Sequence, residues 1–272
     1  MIHVIFPAYN EEDSIRPAIL ALADAVRGRE QEYHAILVDD GSVDRTIDEA
    51  NLAITQSGGK LKLTILKHEV NKGLGAGLRT GIFGCLDIAN NNDVIVTLDA
   101  DNTHPPKLIP EMVNLIGRGF DIVIASRYQK GAIIHGVPAH RRWISDLAKL
   151  LFQATFYIRG ARDYTCCFRA YRVPILRKAR AVYGDEFCTA RGFEAVMDIL
   201  LRLRQLDIRA AEVPLELRYE QRVGRSKMQV FRTARKTLAL LSKRFVERLG
   251  RYSKTNIRLR MEQLERSGAF TP

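Results

Sequence analysis

Long hydrophobic runs are missing from this chain of 272 residues: none approaches the ~20 consecutive apolar residues that span a bilayer. A membrane-crossing helix is therefore not expected. The opening Met1-Ile-His-Val-Ile-Phe-Pro7 also lacks the charged and apolar regions of a signal peptide, and it reads as the first core strand of a cytosolic protein. Cysteine is scarce. Cys85, Cys166, Cys167 and Cys188 show neither metal nor redox spacing, and the adjacent pair would make a poor structural disulfide, so reduced thiols are expected. Repeats and low-complexity linkers are absent too. A composition of 46% apolar and 27% charged residues fits one large globular core with room for a small appendage.

Charge is present but unevenly placed. Residues 222–266 hold fourteen lysines or arginines against three glutamates, which equals the entire net charge of +11. So basic a segment suits a polyanion, either nucleic acid or an anionic membrane surface, with a solvated helix face as the plainer reading. Within it Phe231, Ala234, Leu238, Leu241, Phe245 and Leu249 recur at helical steps, with Arg232, Arg235, Lys236, Lys243, Arg244 and Arg248 between them. The pattern predicts an amphipathic basic helix over a 228–272 extension. It either lies in the plane of an anionic membrane or packs its apolar stripe on its own domain or a partner subunit. On the membrane reading, reversing the charges of Arg232, Arg235, Lys236, Lys243 and Arg244 abolishes vesicle binding and leaves the fold intact. A second apolar-rich stretch, residues 143–158, is too polar to span a membrane but could lie against lipid.

The first hundred residues alternate short apolar runs with helical patterns. Strands are predicted at Ile2–Pro7, Ala35–Val38, Leu61–Leu66 and Asp93–Leu98, with helices over 12–27, 44–53 and 73–89 between them. Further strands are expected at Asp121–Ala125 and Ile208–Val213. That alternation predicts an α/β fold with a mostly parallel sheet flanked by helices.

Three predicted strands end in distinctive residues: Pro7-Ala-Tyr-Asn-Glu11, Asp39-Asp-Gly-Ser42 and Asp99-Ala-Asp101. Ligands of open α/β sheets bind outside the carboxyl ends of the strands, so parallel neighbours would bring the three together. Tyr9 can stack on a nucleobase, and Asp39 or Asp40 can accept from base N–H groups. Asp99 and Asp101 would repel each other without a cation; Mg²⁺ or Mn²⁺, with oxygen ligands, could join them to a diphosphate. Each motif alone could be turn or cap chemistry.

These residues resemble family-2 glycosyltransferases of the GT-A fold, in the dolichol-phosphate mannosyltransferase-like branch. The matching residues are Pro7–Glu11, Val38–Asp44, Asn71-Lys-Gly-Leu-Gly75, Leu98-Asp-Ala-Asp-Asn-Thr-His-Pro-Pro106 and Ala125-Ser-Arg-Tyr128. Farther along the chain are Arg141 with Ser145, Asp163-Tyr-Thr-Cys-Cys-Phe-Arg-Ala-Tyr171, Glu212-Val-Pro214 and Arg222-Val-Gly-Arg-Ser-Lys227. The resemblance implies a GT-A catalytic domain over 1–227. It implies that Pro7, Tyr9, Glu11, Val38, Asp40 and Lys72 hold the nucleotide sugar, together with Asp99, Ala100, Asp101, Arg127, Arg222 and Lys227. Asp99, Asp101 and Thr103 would bind the metal, Mg²⁺ or Mn²⁺. Arg141 and Ser145 would take the acceptor phosphate, and Asp101, Arg127 and Arg141 would be catalytic. Three departures stand out. Thr103 replaces a frequent Gln, Cys167 replaces the usual Gly before Phe168, and one residue separates Arg222 from Gly224 where many relatives have two.

The implied reaction is an inverting, metal-dependent transfer of a hexose from a donor of the GDP-mannose or UDP-glucose type to a polyprenyl phosphate. The partners would then be that donor, the lipid and an anionic membrane surface, with no nucleic acid, and the protein would be cytoplasmic and peripheral on the membrane. A soluble or protein acceptor remains the alternative; a hydroxyl acceptor would need a base, for which Asp163 and Glu194 are candidates. A non-catalytic polyanion-binding protein is the reading from another class.

Overall fold

The computed structural model describes residues 1–59, 61–136, 149–218 and 230–267. Its first strand, β1 (Ile2–Ala8), is buried at every position except Pro7, and β2 (Tyr33–Asp39) is buried throughout. β-branched and aliphatic runs hidden on both faces favour parallel pairing under helices. With β3 (Lys62–Lys67) and β4 (Val94–Thr97) these strands form the parallel order β3-β2-β1-β4. The chain moves outward from β1 to β3, then returns to the other side of β1. That reversal opens a crevice between the carboxyl ends of β1 and β4.

Helices α1 (Ile15–Ala25), α2 (Thr46–Gln56) and α3 (Leu74–Ile88) supply the crossovers. The predicted start of α1 at Glu12 is three residues early, because Ser14 Oγ donates to Glu11 Oε2 at 2.7 Å in a turn before the helix. Gly81 explains why glycine sits inside α3: a Cβ there would lie 2.6 Å from Ile5 Cγ2, so the helix approaches β1 too closely for a side chain.

The sheet continues through α4 (Ile109–Gly117), β5 (Ile122–Ser126), β7 (Arg169–Arg172) and β8 (Ala210–Pro214) to the order β3-β2-β1-β4-β7-β5-β8. β7 is antiparallel to both β4 and β5 and was not foreseen, since Arg-Ala-Tyr-Arg does not read as a core strand. Arg169 is nonetheless fully buried. It donates to the carbonyls of Val196 and Tyr164 at 2.6 and 2.7 Å, so its charge is solvated by backbone dipoles. A small parallel ladder pairs β6 (Ile133–His135) with β9 (Glu216–Arg218). Cys167, standing where glycine was expected, is not among the positive-φ residues, so that departure strains no backbone.

Residues 149–155 are the described part of helix α5, which buries Phe152 while Leu150 and Leu151 face outward. Next come α6 (Val173–Tyr183) and α7 (Glu194–Arg204), and α7 is buried from Glu194 to Leu203. The basic extension forms α8 (Val230–Leu249) and α9 (Lys254–Arg266). α8 packs through Leu240, Leu241 and Arg244, so of the expected stripe Leu241 faces inward while other members do not. Leu238 (54%), Phe245 (45%) and Leu249 (71%) are exposed, with Val246 (68%) beside them. The buried Arg244 corrects the expectation that its charge could be reversed with the fold intact.

Candidate functional site

A cleft of about 710 Å³ opens at the carboxyl ends of β1, β2 and β4. Pro7, Tyr9 and Glu11 line it, with Asp40, Asp99, Ala100 and Asp101. The three strand-end motifs therefore converge as expected. Register explains it: Ala8 pairs with Asp39, and Ile5 with Thr97, so the chain leaves all three strands at similar height.

The loops after β1 and β2 are tied together. Asn10, at φ 53°, donates its N–H to Ser42 Oγ at 2.9 Å, and Asn10 Oδ1 accepts from Val43 N–H at 3.0 Å. Glu11 N–H donates to Thr46 Oγ1 at 2.9 Å. Asp40 fixes a third loop: it accepts from Lys72 N–H at 2.9 Å, Gly73 N–H at 2.7 Å and His68 Nδ1 at 2.6 Å. Gly73, at φ 91°, passes so close to Arg191 that a Cβ would sit 2.4 Å from its carbonyl oxygen. Asn71-Lys-Gly73 thus matters as backbone. The Lys72 side chain is exposed and is not among the described cleft-lining residues, and Val38 is fully buried in the core opposite Pro7.

At the end of β4, Thr103 donates both its N–H (3.2 Å) and its hydroxyl (2.7 Å) to Asp101 Oδ1. In this geometry Thr103 orients the carboxylate and does not line the cleft. His104, which carried no role in the sequence reading, lies with Nδ1 3.8 Å from Asp99 Oδ2 and its ring stacked on Phe168. Burial disfavours its charged form, but the charge of Asp99 and the contact with Cys166 outweigh this and lift it to about 9. Asp99 N–H also donates to His104 Nδ1 at 3.3 Å, so the imidazole braces the end of β4 through contacts that the sequence did not reveal. Among the described residues no group of three or more His, Cys, Asp and Glu is arranged around a metal position. Two hard oxygen donors on an open cleft fit Mg²⁺ or Mn²⁺, which keep waters and phosphates as ligands, rather than a closed protein cage.

Arg127 is placed differently from its expected role. Its Nε donates to Asp163 Oδ2 at 2.8 Å and its Nη2 to Asp163 Oδ1 at 2.7 Å, with a further short contact to Thr165 Oγ1. It does not line the cleft, so its charge is spent on holding the loop after β5 against residues 163–166. Burial alone would raise the Asp163 carboxyl, but the Arg127 charge and hydrogen bonds hold it down at about 2. A carboxylate so weakly basic and so fully paired is a poor general base. Of the two candidates for that role, Glu194 is the one that lines the cleft. Arg141, Ser145, Arg222 and Lys227 fall outside the described residues.

Two walls were not legible as such in the sequence, where Glu194 figured as a candidate base alone. Arg191, Gly192, Phe193 and Glu194, leading into α7, line the side facing Gly73, and Thr233 and Lys236 of α8 reach the same space. The signal for the first was a Gly-Phe-Glu run just before a strongly apolar helical pattern. The second had none, because a basic helix looks alike over a cleft and in solvent.

Comparison with known proteins agrees with this geometry. Residues 3–180 match the family described as Glycosyl transferase family 2. A dolichol-phosphate mannosyltransferase of Pyrococcus furiosus is 30% identical over 229 residues, covering 84% of this chain and 59% of that protein. An undecaprenyl-phosphate 4-deoxy-4-formamido-L-arabinose transferase of Pseudomonas fluorescens is 33% identical over 175 residues, covering 64% of this chain and 48% of that protein. The chain therefore spans between about half and three-fifths of the length of these relatives. Glucosyl-3-phosphoglycerate synthase from Mycobacterium tuberculosis, crystallised with Mn²⁺, UDP-glucose and phosphoglyceric acid, superposes with a TM-score of 0.64 at 19% identity. That likeness covers 90% of this chain and 79% of the other and concerns the fold, a mostly parallel GT-A-like sheet between helices. With the family match running from β1 into α6, the chain belongs to glycosyl transferase family 2.

Proposed function

We propose that this chain transfers a hexosyl group, with inversion, from a nucleotide diphosphate sugar to a polyprenyl phosphate at a membrane surface. The observation that carries the reading is the convergence of Tyr9, Asp40, Asp99 and Asp101 on one cleft at the sheet's switch point. The acceptor class is supported by the names of the two curated relatives. Among the described residues no helix is long and apolar enough to cross a membrane. The outward Leu238, Phe245, Val246 and Leu249 of α8, next to basic side chains, supply a surface suited to anionic lipid.

In the proposed reaction an acceptor phosphate oxygen attacks the anomeric carbon as the bond to the nucleoside diphosphate breaks. The attacking group is already an anion, so the chain need not remove a proton. Its residues instead align the two ends and compensate charge. Tyr9 stacks on the base, and the loops held by Asp40 frame the nucleoside. Asp99 and Asp101, the latter oriented by Thr103, would hold the divalent cation. Bound there, it would supply Lewis-acid stabilisation to the leaving diphosphate. Were the acceptor a hydroxyl, Glu194 would be the carboxylate available to take its proton.

Release of nucleoside diphosphate from GDP-mannose and UDP-glucose, monitored with Mg²⁺ and vesicles, tests the reading. Release should accelerate strongly when the vesicles carry polyprenyl phosphate. Equal rates with and without that lipid, but acceleration by a soluble acceptor, would overturn the lipid assignment.

A further inference from the structure

The expected division of the chain at residue 227 makes residues 228–272 an extension, yet α8 forms part of the cleft wall. Thr233 and Lys236 lie on its inward side, one turn apart. Lys236 Nζ is 3.7 Å from Glu194 Oε1, an ion contact longer than a hydrogen bond. The Lys236 side chain is 39% exposed and that of Glu194 only 7%. Glu194 Oε1 is held from the other side by the Gly192 N–H at 3.2 Å. The carboxylate is thus fixed by its own loop, while the ammonium is loosely held on a flexible stem.

The charges around the cleft make this pair informative. Among the described lining residues, five carboxylates face two cations, Arg191 and Lys236. A divalent ion shared with Asp99 and Asp101 does not cancel the charge of a diphosphate by itself, so a cation on the cleft wall has a role there. An ammonium on a flexible stem, in long contact with a carboxylate that its own loop holds in place, is suited to that exchange.

We infer that Lys236 is a phosphate-binding residue contributed by α8, with Glu194 holding its place until the donor's diphosphate arrives. This rests on the nucleotide-sugar reading of the cleft and adds to it that α8 completes the donor site. Diphosphate binding would release Lys236 from Glu194 and draw the inner face of α8 toward the cleft.

The test is titration of UDP and GDP, with Mg²⁺ or Mn²⁺, into the full chain and its variants, with uridine, guanosine and inorganic pyrophosphate as probes of each half. Lys236→Gln should weaken nucleoside diphosphate and pyrophosphate binding tenfold or more, about 1.4 kcal/mol or above. It should leave the nucleosides and the melting temperature unchanged. Lys236→Arg should recover part of the loss. Arg235→Gln, one residue away and facing solvent, should change none of these. Glu194→Gln separates a ligand from a strut: it should tighten diphosphate binding, because it removes a competitor and a negative charge. If Glu194→Gln instead weakens binding as Lys236→Gln does, the pair is structural and the inference is overturned. Unchanged diphosphate binding in Lys236→Gln overturns it equally. If neither diphosphate binds the unmodified chain, the nucleotide-sugar reading itself falls first.

Discussion

Arg244 of α8 and Asp198 of α7 form a buried ion pair, Nε to Oδ1 at 2.6 Å, with side chains 3% and 0% exposed. Thr189 N–H also donates to Asp198, at 3.0 Å, and Arg202 stacks between Tyr183 and Tyr252 nearby. This cluster seats α8 on α7 and holds Tyr252, at the turn into α9, beside α6. Arg244→Ala should therefore cost about 3–5 kcal/mol, the usual penalty for stranding a buried charge. Replacing the exposed Arg235 by Ala should cost within about 0.5 kcal/mol. Denaturant titration of the two variants checks this; equal losses would mean that α8 is not anchored here.

Asp101→Asn should lower kcat/KM by about a hundredfold or more at subsaturating metal while leaving the melting temperature near that of the unmodified chain. The amide retains an oxygen to accept from Thr103, so local structure survives and only charge is lost. Near-normal turnover would remove Asp101 from the donor site.

The Arg127–Asp163 pair predicts a particular acid sensitivity. The Asp163 carboxyl is held at about 2 in the folded state, below its ordinary value of 3.8. Its contribution to stability is therefore complete above about pH 4 and is lost as pH falls toward 2. The unmodified chain should lose melting temperature more steeply between pH 4 and 2 than an Arg127→Gln, Asp163→Asn double variant. Parallel curves would show that the pair does not titrate in this way.

For the membrane surface, Leu238→Asn, Phe245→Asn and Leu249→Asn together should reduce partitioning to anionic vesicles by about a hundredfold or more, since each apolar side chain contributes roughly 1.5–3 kcal/mol when buried. These positions are already exposed, so solubility and nucleotide binding should hold. Co-sedimentation at low and high salt is the readout. Indifference to the triple change would leave α8 as a helix that only packs.

In the parallel half of the sheet β1, β2 and β4 were legible because they are buried on both faces, and β2 and β4 give way to acidic turns. Burial in β1 and β2 shows as continuous apolar runs, and topology then places the ligand edge. What stayed hidden depends on partners distant in sequence. β7 carries a buried arginine whose two terminal nitrogens donate to carbonyls of residues 164 and 196, which no local pattern announces. Arg127 has the look of a phosphate ligand in sequence, but Asp163 stands across from it in the fold. Of the apolar stripe of α8, Leu241 packs inward while Leu238, Phe245 and Leu249 face outward, because a period of 3.6 fixes a face and not its neighbour. Lys236 is inseparable in sequence from the surrounding basic residues; only the cleft distinguishes it.

The most direct measurement is the fate of the sugar itself. The full chain is incubated with labelled GDP-mannose or UDP-glucose, a divalent metal and polyprenyl phosphate in vesicles, and the mixture is then partitioned between organic and aqueous phases. The account predicts label in the organic phase as a polyprenyl phosphohexose of inverted anomeric configuration, absent in Asp101→Asn. Label that stays aqueous while the donor is consumed, or a lipid product of retained configuration, would contradict it.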